Sequence, residues 1–167
     1  AAFVSPHPRQ FVGMASVPLQ DTALAIEELR HARERLALSA VEIGTCPGGR
    51  DFDDPAFSPF FAACRDLDVA VFVHPAAPLV GQERLTKYYF PVIVGNPLET
   101  AVAISKLIYG GVLERLPDLR ICFAHGGGAF PFTLGRLDYS WSVRPDGPES
   151  IPRSPREYAR LLHFDSL

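Results

Sequence analysis

Hydrophobic positions along the chain fall into short unbroken runs, separated by stretches in which apolar residues recur every third or fourth position. Residues 11–19, 40–46, 69–74 and 120–125 have the first pattern and predict strands; Pro18 closes the first and Pro75 follows the third. Residues after Asp21 have the second pattern. Ala25, Leu29, Ala32 and Leu36 line one side, Glu27, Glu28, Arg30 and Arg33 the other, and Asp21 is the expected N-cap. A second helix is predicted over residues 55–67, opening on a proline. A third starts at Asn96 as cap, with Pro97 in the first position and Glu99 at capping-box spacing, and runs until Pro117 stops it. The Gly110-Gly111 pair inside it predicts close packing or a break, since each glycine costs roughly 1 kcal/mol relative to alanine.

Further along, residues 130–141 predict a helix carrying Arg136 and Asp138, residues 143–156 an irregular segment, and residues 155–160 a short helix leading into a last strand over 161–167. The longest irregular stretch, residues 75–95, is rich in proline and aromatics, and loops of that length are usually functional or disordered. Tyr88, Tyr89 and Phe90 within it predict a packed lid or an oligomer contact.

Unbroken apolar strands alternating with helices predict an α/β fold, with a parallel sheet covered on both faces. In such sheets ligands and catalytic groups gather at the carboxyl ends of the strands. Two of the predicted strands end in histidine. His74 closes one and is followed by Pro75; His125 closes the other and is followed by Gly126, Gly127 and Gly128. A single strand-end histidine is usually structural and satisfied by backbone, but two at equivalent positions in successive strands predict a site. Glu42, inside a strand, is read as pointing to a helix terminus or solvent rather than into a site. His7 and His31 are read as solvated.

Composition narrows the functional classes. The 167 residues suit one domain, and 47% hydrophobic content supplies a sizeable core. Sixteen Lys and Arg stand against nineteen Asp and Glu with no long basic run, which argues against nucleic-acid or membrane-surface partners. No apolar run reaches the roughly eighteen residues of a membrane span and the first residues lack a leader pattern, so the expected compartment is cytoplasmic. Cys46, Cys64 and Cys122 are odd in number and lack CxxC pairing; they are expected to be reduced core thiols. The His125-Gly-Gly-Gly run could serve as the oxyanion loop of a lipase-like hydrolase, but no Gly-x-Ser-x-Gly elbow follows it.

The pieces Phe72-Val-His74-Pro75, Gly95-Asn-Pro-Leu-Glu-Thr100, Gly110-Gly-Val-Leu-Glu-Arg-Leu-Pro117 and Phe123-Ala-His-Gly-Gly-Gly-Ala-Phe-Pro-Phe132, with Gly135-Arg136, resemble the amidohydrolase-2 family. Within it they are most similar to the aminocarboxymuconate-semialdehyde decarboxylase group, in order and over essentially the whole chain. The resemblance implies a (β/α)8 TIM barrel with a divalent metal, usually zinc. It implies that His74 is a metal ligand from the fifth strand and that His125, on the sixth, activates metal-bound water or exchanges protons with the substrate. Arg136 is implied to bind a substrate carboxylate, reaching in the decarboxylases into the neighbouring subunit of a homodimer. The implied reaction is decarboxylation, or alternatively hydrolysis, of a small carboxylated substrate. The residue types suit that chemistry: a metal acidifies bound water, imidazole titrates where protons are passed, and guanidinium forks match planar carboxylates.

The chain also departs from the family pattern. The His-x-His pair of the family's first strand and the aspartate ligand of its eighth do not occur here. About five β units are predicted against the eight of a closed barrel. Residues 1–167 are therefore expected to be a single domain incomplete at both ends, about strands 3 to 7, and Asp165 lies on the wrong strand to replace the missing ligand. Ala76-Ala77 stands where the decarboxylase group tends to carry an aromatic, which implies a different substrate. A non-catalytic barrel fragment, self-associating through open sheet edges, is the alternative.

Overall fold

The structure is a computed structural model of the 167-residue chain and describes residues 6–7, 9–76 and 80–166. Five parallel strands form one sheet: β1 (Met14–Ser16), β2 (Ala40–Ile43), β3 (Ala70–Val73), β4 (Ile121–Phe123) and β5 (His163–Phe164). Their order in the sheet is their order in the chain. Each is shorter than the apolar run that predicted it, because the ladder of paired backbone groups ends before the apolar character does.

Sequential order decides where the helices go. Every crossover advances one strand in the same direction, so all connections of one hand return to one side of the sheet, as in a barrel wall. The expectation of a sheet covered on both faces is therefore corrected. Val41, Ile43, Val71, Val73, Ile121 and Phe123 alternate along the strands, point to the helices and are at most 5% exposed. With them, Leu29 of α1 (Thr22–Leu36), Phe60 and Phe61 of α2 (Ser58–Asp66), Ile104 and Leu107 of α3 (Asn96–Tyr109), and Leu113 of α4 (Val112–Arg115) form one continuous core. Phe130 of α5 (Phe130–Val143) and Tyr158 of α7 (Pro155–Ala159) complete it.

On the opposite face the pairing register sets Ser16, Glu42, Phe72, Cys122 and His163 in one row. Phe72 and Cys122 are half-buried and the other three exposed. Glu42 stands exposed on this face, in keeping with the solvent placement among its expected ones. Cys64 is the core thiol of the three, while Cys46 and Cys122 are half-buried.

Local signals mostly form what they predict. Asp21 caps α1, accepting from the Leu24 amide at 3.1 Å. Gly110 ends α3 where a Cβ would lie 2.7 Å from Asp53, and α4 begins after Gly111. Ser154 and Glu157 form a capping box on α7. Two expectations fail. Residues 143–156 are not wholly irregular, since α6 (Asp146–Ser150) lies within them. Asn96 is no cap: a π-helical turn over Pro91–Gly95 runs directly into α3, and the Asn96 amide already donates to Pro91 O. With no free amide to cap, Glu99 is released for other use.

The combined helical run Pro91–Tyr109 is 19 residues long with mean hydropathy 1.2, long and apolar enough by length and composition to cross a bilayer, contrary to expectation. Half of it is buried within the fold, and Ile104, Leu107 and Ile108 on its apolar side belong to the core. Tyr88 and Tyr89 are 77% and 70% exposed, so they form no lid packed on this chain.

Candidate active site

The ladder continues one step past the strand ends. His74 N donates to Ile43 O at 3.0 Å, Ala124 N to Val73 O at 3.0 Å, and Asp165 N to Phe123 O at 3.2 Å. His74, Ala124 and Asp165 thus stand side by side at the carboxyl ends of β3, β4 and β5. His125 follows Ala124 with a backbone φ of 61°, a left-handed conformation that is uncommon for a residue with a Cβ. The kink turns its imidazole toward His74, and the two rings lie 5.0 Å apart between centroids, tilted by 55°. The two histidines predicted at equivalent strand ends are brought together.

Three glycines carry the left-handed path onward, with φ of 60°, 81° and 59° at Gly126, Gly127 and Gly128. Within the turn, Gly127 N donates to Ala124 O at 3.2 Å and Gly128 N to His125 O at 2.9 Å. Gly128 presses on the backbone of Pro97 in the first turn of α3, where a Cβ would collide, and Ala129 N donates to Pro97 O at 3.0 Å. Gly126 N donates across to Asp165 Oδ1 at 2.9 Å. His125 Nδ1 and Asn96 Oδ1 are buried and have no hydrogen-bond partner among the described residues. A buried imidazole nitrogen held by nothing is unlike a structural histidine, whose nitrogens are normally satisfied.

Carboxylates surround this end of the sheet. Burial chiefly, then the charges of Asp51 and Glu99, push the Cys46 thiol up; burial and then Asp165 do the same to Cys122. Glu99, 3% exposed, accepts from the Val80 amide at 3.0 Å and so ties the segment after His74 to α3. The capping role expected of Glu99 is not the one the fold gives it, and the sequence pattern points neither to the hold of Asp165 on Gly126 nor to the buried side chain of Asn96. Asp165 was visible as a polar residue ending an apolar strand, the pattern that singled out His74, but it was weighed only as a metal ligand.

Arg136 is not brought to the histidines. It lies on α5 in an apolar groove between α3 and α5, a cavity of about 540 Å³ that Leu98, Val102, Tyr109 and Leu137 help to line. It forms no hydrogen bond or ion pair among the described residues.

The one-sided sequential sheet agrees with what comparison with known proteins finds. The amidohydrolase family model (Amidohydro_2) covers residues 1–162. The chain belongs to the amidohydrolase family. This amidohydrolase is 45% identical over its whole length to a 2-amino-3-carboxymuconate-6-semialdehyde decarboxylase of Dictyostelium discoideum, of which it covers 46%. Its fold matches 5-carboxyvanillate decarboxylase from Sphingomonas paucimobilis with a TM-score of 0.84 at 28% identity, over 98% of this chain and 50% of that one. The 5-carboxyvanillate decarboxylase of Novosphingobium aromaticivorans, solved with bound manganese, matches at 0.73 and 28% identity, over 91% of this chain and 43% of that one. The amidohydrolase chain thus spans about half the length of these relatives, and its sheet is a partial barrel.

Whether its own residues fit a metal can be asked of the donors. His74 is of the right type, with its neighbour His125, but among the described residues no group of three or more His, Cys, Asp or Glu could hold an ion. The donors present do not make a complete centre, so no chemical step is assigned to a metal here.

Proposed function

We propose that this chain carries the proton-transfer side of the active site of a decarboxylase acting on a small carboxylated substrate. The observation that carries the reading is the facing of His74 and His125 at the ends of adjacent parallel strands, with His125 Nδ1 unpartnered. In this reading the protonated His125 delivers a proton to the substrate carbon that bears the carboxylate. The bond to the carboxylate then breaks, its electron pair restores the unsaturated system of the substrate, and carbon dioxide leaves. Imidazole suits the task because it titrates near neutrality, and such positioned proton transfer is worth about 10²–10⁴ in rate.

His74 is read as one ligand of a divalent metal, zinc by family resemblance, with manganese the ion in the Novosphingobium aromaticivorans enzyme. Arg136 is read as a carboxylate-binding residue serving a second copy of the chain in a homodimer. Its position in a groove of the helix layer, beside the exposed Phe132 and Tyr139 of the same helix, supports that reading.

The test is carbon dioxide release by the protein containing this chain, with zinc or manganese, from 5-carboxyvanillate, 2,6-dihydroxybenzoate and aminocarboxymuconate semialdehyde. Release from at least one substrate, falling by about 10² or more in His125→Ala, is expected. No release from any, or unchanged turnover in His125→Ala, overturns the assignment.

A further inference from the structure

His125, with a φ of 61°, occupies a strained backbone conformation that persists only where the surroundings over-determine it. Its neighbours show how. The amides of Gly127 and Gly128 are satisfied inside the turn by Ala124 O and His125 O, and that of Ala129 by Pro97 O. The Gly126 amide is the one that reaches to another strand, donating to Asp165 Oδ1 at 2.9 Å. Sterics do not hold Gly126: a Cβ there would meet nothing closer than Asp165 O at 3.9 Å. The carboxylate does, through a charge-assisted hydrogen bond.

Asp165 is itself fixed. It is half-buried, and its amide donates to Phe123 O at 3.2 Å, which anchors it to the strand that delivers His125. The residue before it bears on the same turn from the helix side, since a Cβ on Gly127 would lie 2.8 Å from the Phe164 ring. Phe164 of β5 and Asp165 just after it therefore grip the turn together, one by packing and one by hydrogen bonding.

We propose that Asp165 is the positioning residue of the His125 turn, its carboxylate holding the Gly126 amide so that the imidazole stays against His74. The proposal rests on the reading of His125 as the proton-transfer group for its functional meaning, though not for its geometry. Asp165 touches no reacting atom. It acts through the backbone, which is why an acceptor oxygen at the right distance suffices and a metal-binding carboxylate is not needed.

The experiment follows the Gly126 amide and the His125 ring by ¹H–¹⁵N and ring ¹H NMR in the wild-type chain, Asp165→Ala and Asp165→Asn. In folded Asp165→Ala, Gly126 exchanges with solvent roughly tenfold faster or more and the His125 ring resonances move, while amides of β2 keep their protection. Asn retains an acceptor oxygen, so Asp165→Asn keeps Gly126 close to wild type. Unchanged Gly126 exchange in Asp165→Ala, or an Asp165→Asn chain that behaves like Asp165→Ala, overturns the proposal. Should Asp165→Ala unfold by circular dichroism, Asp165→Asn alone decides: a deprotected Gly126 in that folded chain overturns it, and a protected one supports it. In the active protein, kcat falls in Asp165→Ala with KM held, and Asp165→Asn restores it. The exchange readout needs no turnover, so absence of decarboxylation would sink the functional reading and leave this test standing. Loss of kcat with Gly126 still protected would sink the positioning role and spare His125.

Discussion

The two faces of the sheet are built from the same strands, one residue apart, and have opposite characters. Val41, Val71, Ile121 and Phe123 are sealed under helices, while Ser16, Glu42, Phe72, Cys122 and His163 mix charge, sulfur and aromatic groups on a face without helices. The covered face is uniform because packing asks only for apolar volume. The other face is free to differ from strand to strand, and it is at its carboxyl end that the two histidines meet. Buried and open side chains are thus divided by parity along each strand, and His125, which shares the parity of the buried Phe123, reaches His74 only through its left-handed kink.

The largest expected effect tests that division directly. Phe123→Ala, emptying a fully buried site, should destabilise by about 3–5 kcal/mol in urea unfolding, whereas Glu42→Ala, exposed on the other face, should stay within about 0.5 kcal/mol. A similar loss at Glu42 would mean that its face is covered in solution. Next comes a contrast between glycines. Gly128→Ala should cost about 1–3 kcal/mol, because its φ of 59° and the Pro97 backbone both oppose a Cβ. Gly135→Ala, in α5 with nothing within 4 Å, should instead stabilise by about 0.5–1 kcal/mol.

The smallest effect concerns the contact between α4 and α7, where charge is used for structure. There Glu114 accepts from Arg153 at 2.7 Å and Tyr158 at 2.8 Å, and these hydrogen bonds hold its carboxyl below the ordinary value of 4.5. A carboxyl depressed on folding stabilises fully above its unfolded value and ceases to as pH falls through the folded one. Urea midpoints should therefore drop below pH 4.5, less steeply in Glu114→Gln and less steeply in high salt. A pH profile identical in that variant would show the cluster to be inert.

Much of this was legible in the chain. Apolar runs located all five strands, and the repetition of a strand-end histidine anticipated the meeting of His74 and His125, because both depend on residue type and period alone. What stayed hidden depended on groups distant in sequence. The Asn96-Pro97-x-Glu99 spacing is a sound capping signal, yet the preceding π turn had already used the amides it would cap. The left-handed φ at His125 leaves no mark, since glycine neighbours permit such a path without requiring it. Asp165 and Glu99 could not be assigned because their partners, Gly126 and Val80, lie on segments that only folding brings near. The carboxylate-binding role of Arg136 comes from family resemblance alone, and its place in the helix groove follows from the phase of α5, which sequence fixes only loosely.

Strand order that repeats chain order has a further meaning for synthesis. Each pairing joins consecutive segments, so β1, β2 and β3 can assemble as they leave the ribosome without waiting for distant sequence. The joint between β3 and β4 is different, for it spans the long segment after His74 as well as α3 and α4, and closing a longer loop costs more entropy. It is also the joint that brings His74 to His125. A growing chain can therefore pair β1, β2 and β3 well before the two histidines meet.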